Sequence, residues 1–439
     1  MLKKLFLISA IGISGIALSQ KNVKEKLGNY LDSLYVHHKV MGSFALAEND
    51  RPTFIKVVGW ADAGKQQKAN VNTQYRIGSI SKTFTAVLIM KAIEEKKVAL
   101  DTKLSDFYPE IPNAAKITVE QLLQHRSGIH NLTNDPGYLQ YNTKPQTESS
   151  LIGIIKKYGS DFEPGTKYDY SNSNYILLGF ILEKVYRKPY AELLQSKIAK
   201  PLKLTLTEAG GKIDPSKNQA ESYQYTNGKY KASSETDMSI PIGAGNVIST
   251  PRDLLSFMLG LEQGKLIRKE NFEKMKTFTD DYGYGLAKIP FGKYWGYGHN
   301  GGIDEFRSAL FYFPDLKIAA AFTVNQSDMD VNDILINLLE TASGHDFEMP
   351  SFKTFNIPEN ELQKFTGKYT SPGIPVKFDI FMRDKKLMAQ ATGQGEFPLE
   401  PVSDTEFKFA PAGITVEFFP EKKQFAIMQG ERKDLFTKE

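Results

Sequence analysis

The sequence predicts an α+β fold in two units: a sheet built from both ends of a large unit around a helical insertion, then a small all-β domain. Three observations predict it. Short apolar, strand-like runs occur at Gly42 to Leu46 and Thr53 to Val58 and again at Leu310 to Phe313 and Ile318 to Val324. Helical periodicity fills much of the interval between them. Beyond Val376 the apolar residues alternate with polar ones, the period of half-buried strands.

Taken in order, the chain begins Met1-Leu2-Lys3-Lys4 and continues with an apolar run from Leu5 to Leu18 that ends in Ala17-Leu18-Ser19. A short basic start, an apolar stretch and small residues at the −3 and −1 places make residues 1–19 a signal peptide, with cleavage expected after Ser19. The run is shorter than the ~20 apolar residues a membrane span needs, and it carries Ser9, Gly12, Ser14 and Gly15. A cleaved leader is therefore expected over an anchor, leaving an exported protein, periplasmic or secreted, with no stable membrane span. Next, Leu27, Leu31, Leu34 and Tyr35 share one helical face, and the first two strands flank a polar turn at Glu48 to Arg51. The later strands meet at Phe313-Pro314-Asp315, and Val331 to Leu339 closes the unit with a helical period. Residues 20–345 form this unit, residues 346–358, with Pro350 and Pro358 and no clear period, form a linker, and residues 359–439 form the second. There Val376, Phe378 and Ile380, then Phe407 and Phe409, then Ile414, Val416 and Phe418, then Phe425 and Ile427 alternate with polar neighbours, while Arg383 to Lys386 and Pro420 to Lys423 supply charged turns. A barrel or strongly curled sheet is expected.

Composition narrows the function. The 439 residues are 41% hydrophobic and 24% charged, and the net charge of +4 falls to +2 when the leader takes Lys3 and Lys4 with it. So balanced a chain is not built to grip nucleic acid or an anionic membrane, so a small-molecule or short-peptide substrate is the expected partner, with an oligomer left open. The absence of Cys excludes a lipid-modified cysteine, disulfides, a thiolate nucleophile and cysteine metal sites. Six His are present, none in a His-Glu-x-x-His cluster. His125 and His130 are spaced wrongly for one helix face, and His125 is expected to be structural. No metal and no cofactor are expected. Neither a Gly-x-Ser-x-Gly elbow nor a phosphate or dinucleotide loop occurs.

Three constellations carry chemistry. In Arg76-Ile77-Gly78-Ser79-Ile80-Ser81-Lys82-Thr83-Phe84, Ser79 stands at the start of a helix and Lys82 one turn on, so an amine reaches a hydroxyl. A desolvated lysine beside a positive helix terminus loses proton affinity and can serve as a base toward that hydroxyl. In Pro164-Gly165-Thr166-Lys167-Tyr168-Asp169-Tyr170-Ser171-Asn172, extended geometry points Tyr170 and Asn172 the same way, a phenol to relay a proton and an amide to orient an acyl chain. In Tyr297-Gly298-His299-Asn300-Gly301-Gly302, glycines in a strand mark close approach of a ligand to the backbone, and an N–H there could join that of Ser79 around a developing oxyanion. Each has an ordinary structural reading of its own: a capping Ser with a surface Lys, an Asn-rich turn before a buried helix, and a hairpin with a solvent-facing His.

In this order and at these separations the three motifs together resemble the serine β-lactamase and penicillin-binding-protein superfamily, nearest its class C and D-peptidase or esterase-like branch. Leu122-Leu123-Gln124-His125-Arg126-Ser127-Gly128 and Gly245-Asn246-Val247-Ile248-Ser249-Thr250-Pro251-Arg252-Asp253-Leu254 are also similar to that branch. The resemblance covers roughly residues 25–345. It implies a transpeptidase-like antiparallel sheet with a helical subdomain, in which Ser79 is acylated and Lys82 and Tyr170 move protons. It further implies that Asn172 positions the acyl group, that His299, Gly301 and Gly302 border the substrate, and that the N–H groups of Ser79 and Gly302 form the oxyanion hole. The second domain is similar to lipocalin-like accessory domains. The expected activity is serine hydrolysis of a small ester, amide or D-amino-acid-containing peptide. Alternatives are a class C-like β-lactamase, a D-alanyl-D-alanine carboxypeptidase, or a penicillin-binding sensor that is acylated without turnover. Two departures stand out. His299-Asn300-Gly301 replaces the usual Lys-Thr-Gly, which argues against strong β-lactamase activity, and Glu305 stands where relatives often have Gly.

Overall fold

In the computed structural model, residues 22–352, 355–409, 412–429 and 432–439 are described, and the leader expected over residues 1–19 lies outside them. The chain divides into one compact unit ending at Phe347 and another beginning at Glu348, to which the short stretch Asp328–Asn332 also belongs.

The first unit is built on a six-stranded antiparallel sheet. Its order is Ala287–Phe291, Tyr294–Ile303, Phe306–Phe313, Ile318–Ser327, Val40–Glu48 and Arg51–Val58, so strands from the two ends of the unit meet in its middle. The expected α+β arrangement is thus observed, with each strand longer than its apolar run. The first hairpin turns through Asn49 and Asp50, both at positive φ, where a short polar side chain tolerates the left-handed region. Helix 22–36 buries Leu27, Leu31 and Leu34.

Two helices of the insertion are buried on every side, which places them at the centre. In Ser81–Glu94 every residue from 81 to 90 is buried, and in Asn172–Tyr186 every residue from 173 to 182. Phe84 stacks on Phe257 of helix Pro251–Glu262 at 3.8 Å between ring centres, tying the first of these helices to the layer against the sheet. Removing such a ring from so closed a core costs ~3–5 kcal/mol. The helix that follows Ser79 is therefore firmly held in the core.

The second unit holds a closed antiparallel barrel of eight strands between Gly367 and Lys438, each paired with its sequence neighbour, and the first closing on the last through Tyr369 and Lys438. The alternating pattern has its cause here: Phe378, Ile380, Phe407, Val416, Phe418 and Phe425 point inward. Aromatic rings fill the interior, with Phe365 against Phe418 at 4.6 Å and Phe425 stacked on Phe436 at 5.0 Å. A barrel of this strand number is just wide enough to be filled by side chains.

Candidate active site

Ser79 sits in a single 3₁₀ turn, Gly78–Ile80, that leads directly into helix Ser81–Glu94. Two glycines let this turn press against the edge of the sheet. Gly78 has φ +50° and a Cβ there would fall 2.7 Å from Gly302 N; a Cβ on Gly301 would fall 2.0 Å from Ile77 O. The Ser308 hydroxyl donates to the same Ile77 carbonyl at 2.8 Å. The nucleophile turn and the strand Tyr294–Ile303 therefore touch backbone to backbone.

The Ser79 hydroxyl lies between two groups, with Lys82 Nζ and the Tyr170 hydroxyl each at 2.9 Å from its Oγ. Lys82 is completely buried and also donates to Asn172 Oδ1 and to the Ala244 carbonyl, both at 2.8 Å. Burial holds its amine well below the usual lysine range. In the neutral form the two amine protons go to Asn172 and Ala244, and the lone pair is left for the Ser79 O–H. Burial acts in the opposite direction on Tyr170, raising its phenol above the ordinary value and keeping it protonated and able to donate.

Asn172 opens helix Asn172–Tyr186, and its amide is held from behind: its backbone N–H donates to Asn131 Oδ1 at 3.0 Å and its Nδ2 reaches Asn131 Oδ1 and Thr133 Oγ1, each at 3.3 Å. Behind Tyr170 lies a buried aromatic group. The His125 ring centre is 4.3 Å from that of Tyr170 and 4.8 Å from that of Tyr282. His125 Nδ1 accepts from the Ser171 N–H at 3.2 Å, so its proton is on Nε2, which has no partner among the described residues.

Ser79 opens onto a cleft of about 700 Å³ that Asn172 and Gly302 also line, together with Leu132, Ile176, Asp304 and Glu305. The structure brings Ser79, Lys82, Tyr170 and Asn172 into contact and sets Gly302 at the cleft beside them. His299 and Gly301 are buried and are not part of the cleft lining, although the His299 ring centre lies 6.2 Å from that of Tyr170. Strand alternation turns both inward. Gly301 is needed for the approach of the chain's own Ile77 carbonyl, not of a ligand. His299 is 6% exposed; its Nδ1–H donates to Asn300 O at 2.5 Å and its Nε2 accepts from the Tyr282 hydroxyl at 3.0 Å. Burial, aided by repulsion from Lys82, holds its imidazole down at about 3. The solvent-facing alternative is excluded as well.

Sequence reasoning missed Ala244, Asn131 and Tyr282. A backbone carbonyl carries no residue-type signal, although Ala244 directly precedes the Gly245 to Leu254 stretch. His125, set aside as structural, packs directly on Tyr170.

A family model described as Beta-lactamase matches residues 33–343. Among curated relatives, the teichoic acid D-alanine hydrolase of Staphylococcus aureus is 28% identical over 272 residues, which are 61% of this chain and 66% of that protein. The chain thus spans just under two thirds of the length of such relatives. Of solved structures, the D-stereospecific amidohydrolase from Streptomyces sp. is 28% identical with a TM-score of 0.61, over 72% of this chain and 97% of that one. The octameric penicillin-binding protein homologue from Pyrococcus abyssi is 25% identical with a TM-score of 0.66, over 94% of this chain and 99% of its own. Because the matched segment takes in both ends of the six-stranded sheet and the whole Ser79 cluster, the chain belongs to the Beta-lactamase family.

Proposed function

We propose that the protein is an exported serine hydrolase that forms an acyl-enzyme at Ser79 with a small ester or amide whose acyl part carries no carboxylate near the scissile bond. One observation carries this reading: Ser79 Oγ is held at 2.9 Å by both a lysine amine and a phenol that burial keeps uncharged. The neutral Lys82 takes the hydroxyl proton as Oγ attacks the acyl carbon. The N–H groups of Ser79 and Gly302 receive the charge that develops on the carbonyl oxygen. Tyr170 gives its proton to the leaving oxygen or nitrogen, and the proton held by Lys82 restores the phenol. Water then repeats the sequence on the acyl-enzyme, with Oγ as the leaving atom. Asn172 serves by fixing Lys82.

The restriction on the acyl part follows from His299. A cation at that place would favour a substrate carboxylate by the ~1.5–3 kcal/mol of a charge-assisted hydrogen bond. The buried neutral imidazole supplies none, which argues against penicillins and D-alanyl-D-alanine peptides. D-Amino-acid derivatives with a free amine fit better, and relatives named for D-alanine and D-stereospecific hydrolysis favour them. Export rests on residues 1–19, and among the described residues no helix is long and apolar enough to cross a membrane.

The test combines intact-mass labelling by a fluorophosphonate with turnover of a neutral p-nitrophenyl ester and a chromogenic cephalosporin. Wild type should take one label and turn over the ester beyond a single equivalent, and Ser79→Ala should do neither. Labelling of Ser79→Ala at the wild-type rate, or faster turnover of the cephalosporin than of the ester, would defeat the proposal. A burst without turnover on every substrate would favour the sensor.

A further inference from the structure

Resting on the acyl-transfer reading above, we infer that Glu305 binds a protonated amine of the acyl group, so that the preferred substrates are aminoacyl esters or amides with a free ammonium. Glu305 stands in the two-residue turn between strands Tyr294–Ile303 and Phe306–Phe313, and it lines the same cleft as Ser79 and Gly302.

The neighbouring carboxylate is already engaged. Asp304 Oδ2 pairs with Arg76 at 2.8 Å, and its Oδ1 accepts from the backbone and the hydroxyl of Thr236 at 3.0 and 2.7 Å. Arg76 is itself shared, with Glu235 on its other nitrogen at 2.6 Å, so this buried group carries one positive and two negative charges. Glu305 differs. Its Oε1 accepts from the Gln224 amide at 2.7 Å, and among the described residues no Lys or Arg pairs with it. Gln224 fixes the carboxylate without neutralising it and leaves Oε2 for another donor.

The cations nearest the cleft are otherwise engaged: Arg307, beside the turn, donates to the carbonyls of Asp304 and Phe306 at 3.1 and 2.8 Å. Lys82 is neutralised by burial and tied to Asn172 and Ala244. His299 is buried against Tyr282 and Tyr170, and burial holds it uncharged. Lys231 lines the cleft from strand Lys229–Ala232, opposite Gln224, where its side chain is exposed. A half-buried carboxylate without a counter-ion, facing a site that opens for substrate, selects for a cation with several N–H donors. An ammonium near the scissile carbonyl supplies it. Leu132, Ile176 and Ile240 on the cleft wall leave room for a short apolar side chain on the same acyl group.

The experiment compares D-alanine 4-nitroanilide, N-acetyl-D-alanine 4-nitroanilide and N-succinyl-D-alanine 4-nitroanilide on the full chain as wild type, Glu305→Gln and Glu305→Lys. Gln keeps the shape and can keep the bond to Gln224. Wild type should prefer the free amine, and Glu305→Gln should lower kcat/KM for it by about tenfold or more, as loss of one charge-assisted contact dictates. The N-acetyl compound should be unaffected, and Glu305→Lys should shift preference toward the succinyl compound. An unchanged rate on the free amine, or equal losses on the first two compounds, overturns the inference. Fluorophosphonate labelling of Ser79, measured in the same samples, separates the two readings. Retained labelling with no amine preference removes only the role of Glu305, while absence of labelling in the wild type removes the acyl-enzyme as well.

Discussion

Gly301→Ala and Gly302→Ala make a matched pair of perturbations, one residue apart on the strand that borders the Ser79 turn. At Gly301 the added methyl carbon would lie 2.0 Å from Ile77 O and 2.3 Å from Ser308 Oγ, and the first contact must open to at least 3.0 Å. Strand and nucleophile turn must then part by about 1 Å, which also breaks the 2.8 Å bond from Ser308 to Ile77. Overpacking of this kind costs ~1–3 kcal/mol of stability. A 1 Å error in placing reacting groups costs on the order of 10²-fold in rate. At Gly302 the nearest atom to an added methyl is Arg307 Cδ at 3.8 Å, an ordinary contact. Kinetics on a neutral ester, the rate of phosphonate labelling and thermal melting together read the result. Gly301→Ala should lose about a hundredfold in kcat/KM and melt lower, whereas Gly302→Ala should keep its melting point and lose only a few-fold, from the methyl projecting into the cleft. Equal losses in the two variants would refute the backbone-contact argument, as would a fully active Gly301→Ala.

Two further predictions concern protons. His299 has its imidazole lowered from 6.5 to about 3, so its contribution to stability is complete above the unfolded value and is lost as pH falls from 6.5 toward 3. Wild type should lose roughly 1.4 kcal/mol more per pH unit than His299→Gln across that window, measured by denaturant melts, and parallel curves would contradict the buried neutral ring. Lys82 and Tyr170 act on one oxygen, so Lys82→Ala with Tyr170→Phe should cost little more than the worse single change; fully additive losses would separate their roles.

Much of the fold was legible in the sequence because it follows from periodicity. The strand runs at both ends of the first unit and the alternating residues of the barrel bury what their patterns say they bury. Legibility stopped where one residue type serves two ends. Glycine in a strand signals that something comes close, and at Gly301 that something is the chain's own Ile77 carbonyl. Period-two alternation along Tyr294–Ile303 could have assigned His299 and Gly301 to the face away from Asn300 and Gly302, but the glycines obscured which face was buried. The three bonds at Lys82 illustrate a second limit. Ser79 and Asn172 have recognisable side chains, while Ala244 contributes only its carbonyl.

The position of Lys82 explains why so much of the molecule is closed around one amine. Burial lowers its proton affinity, and a carboxylate close by would oppose that effect. The groups packed around it are neutral. Asn172 and Ala244 offer neutral oxygens, and Tyr170 is a phenol held in its protonated form. His125 and His299 are imidazoles that burial holds uncharged. One cause therefore acts on unlike groups in opposite directions, lowering the amine and raising the phenol, and leaves both ready to exchange a proton through Ser79 Oγ. His125 is buried among them, and its Nε2–H has no partner among the described residues. A carboxylate there would stabilise a cation beside Lys82. No carboxylate pairs with Lys82 among the described residues, and the carboxylates of this site stand at the cleft, on Asp304 and Glu305.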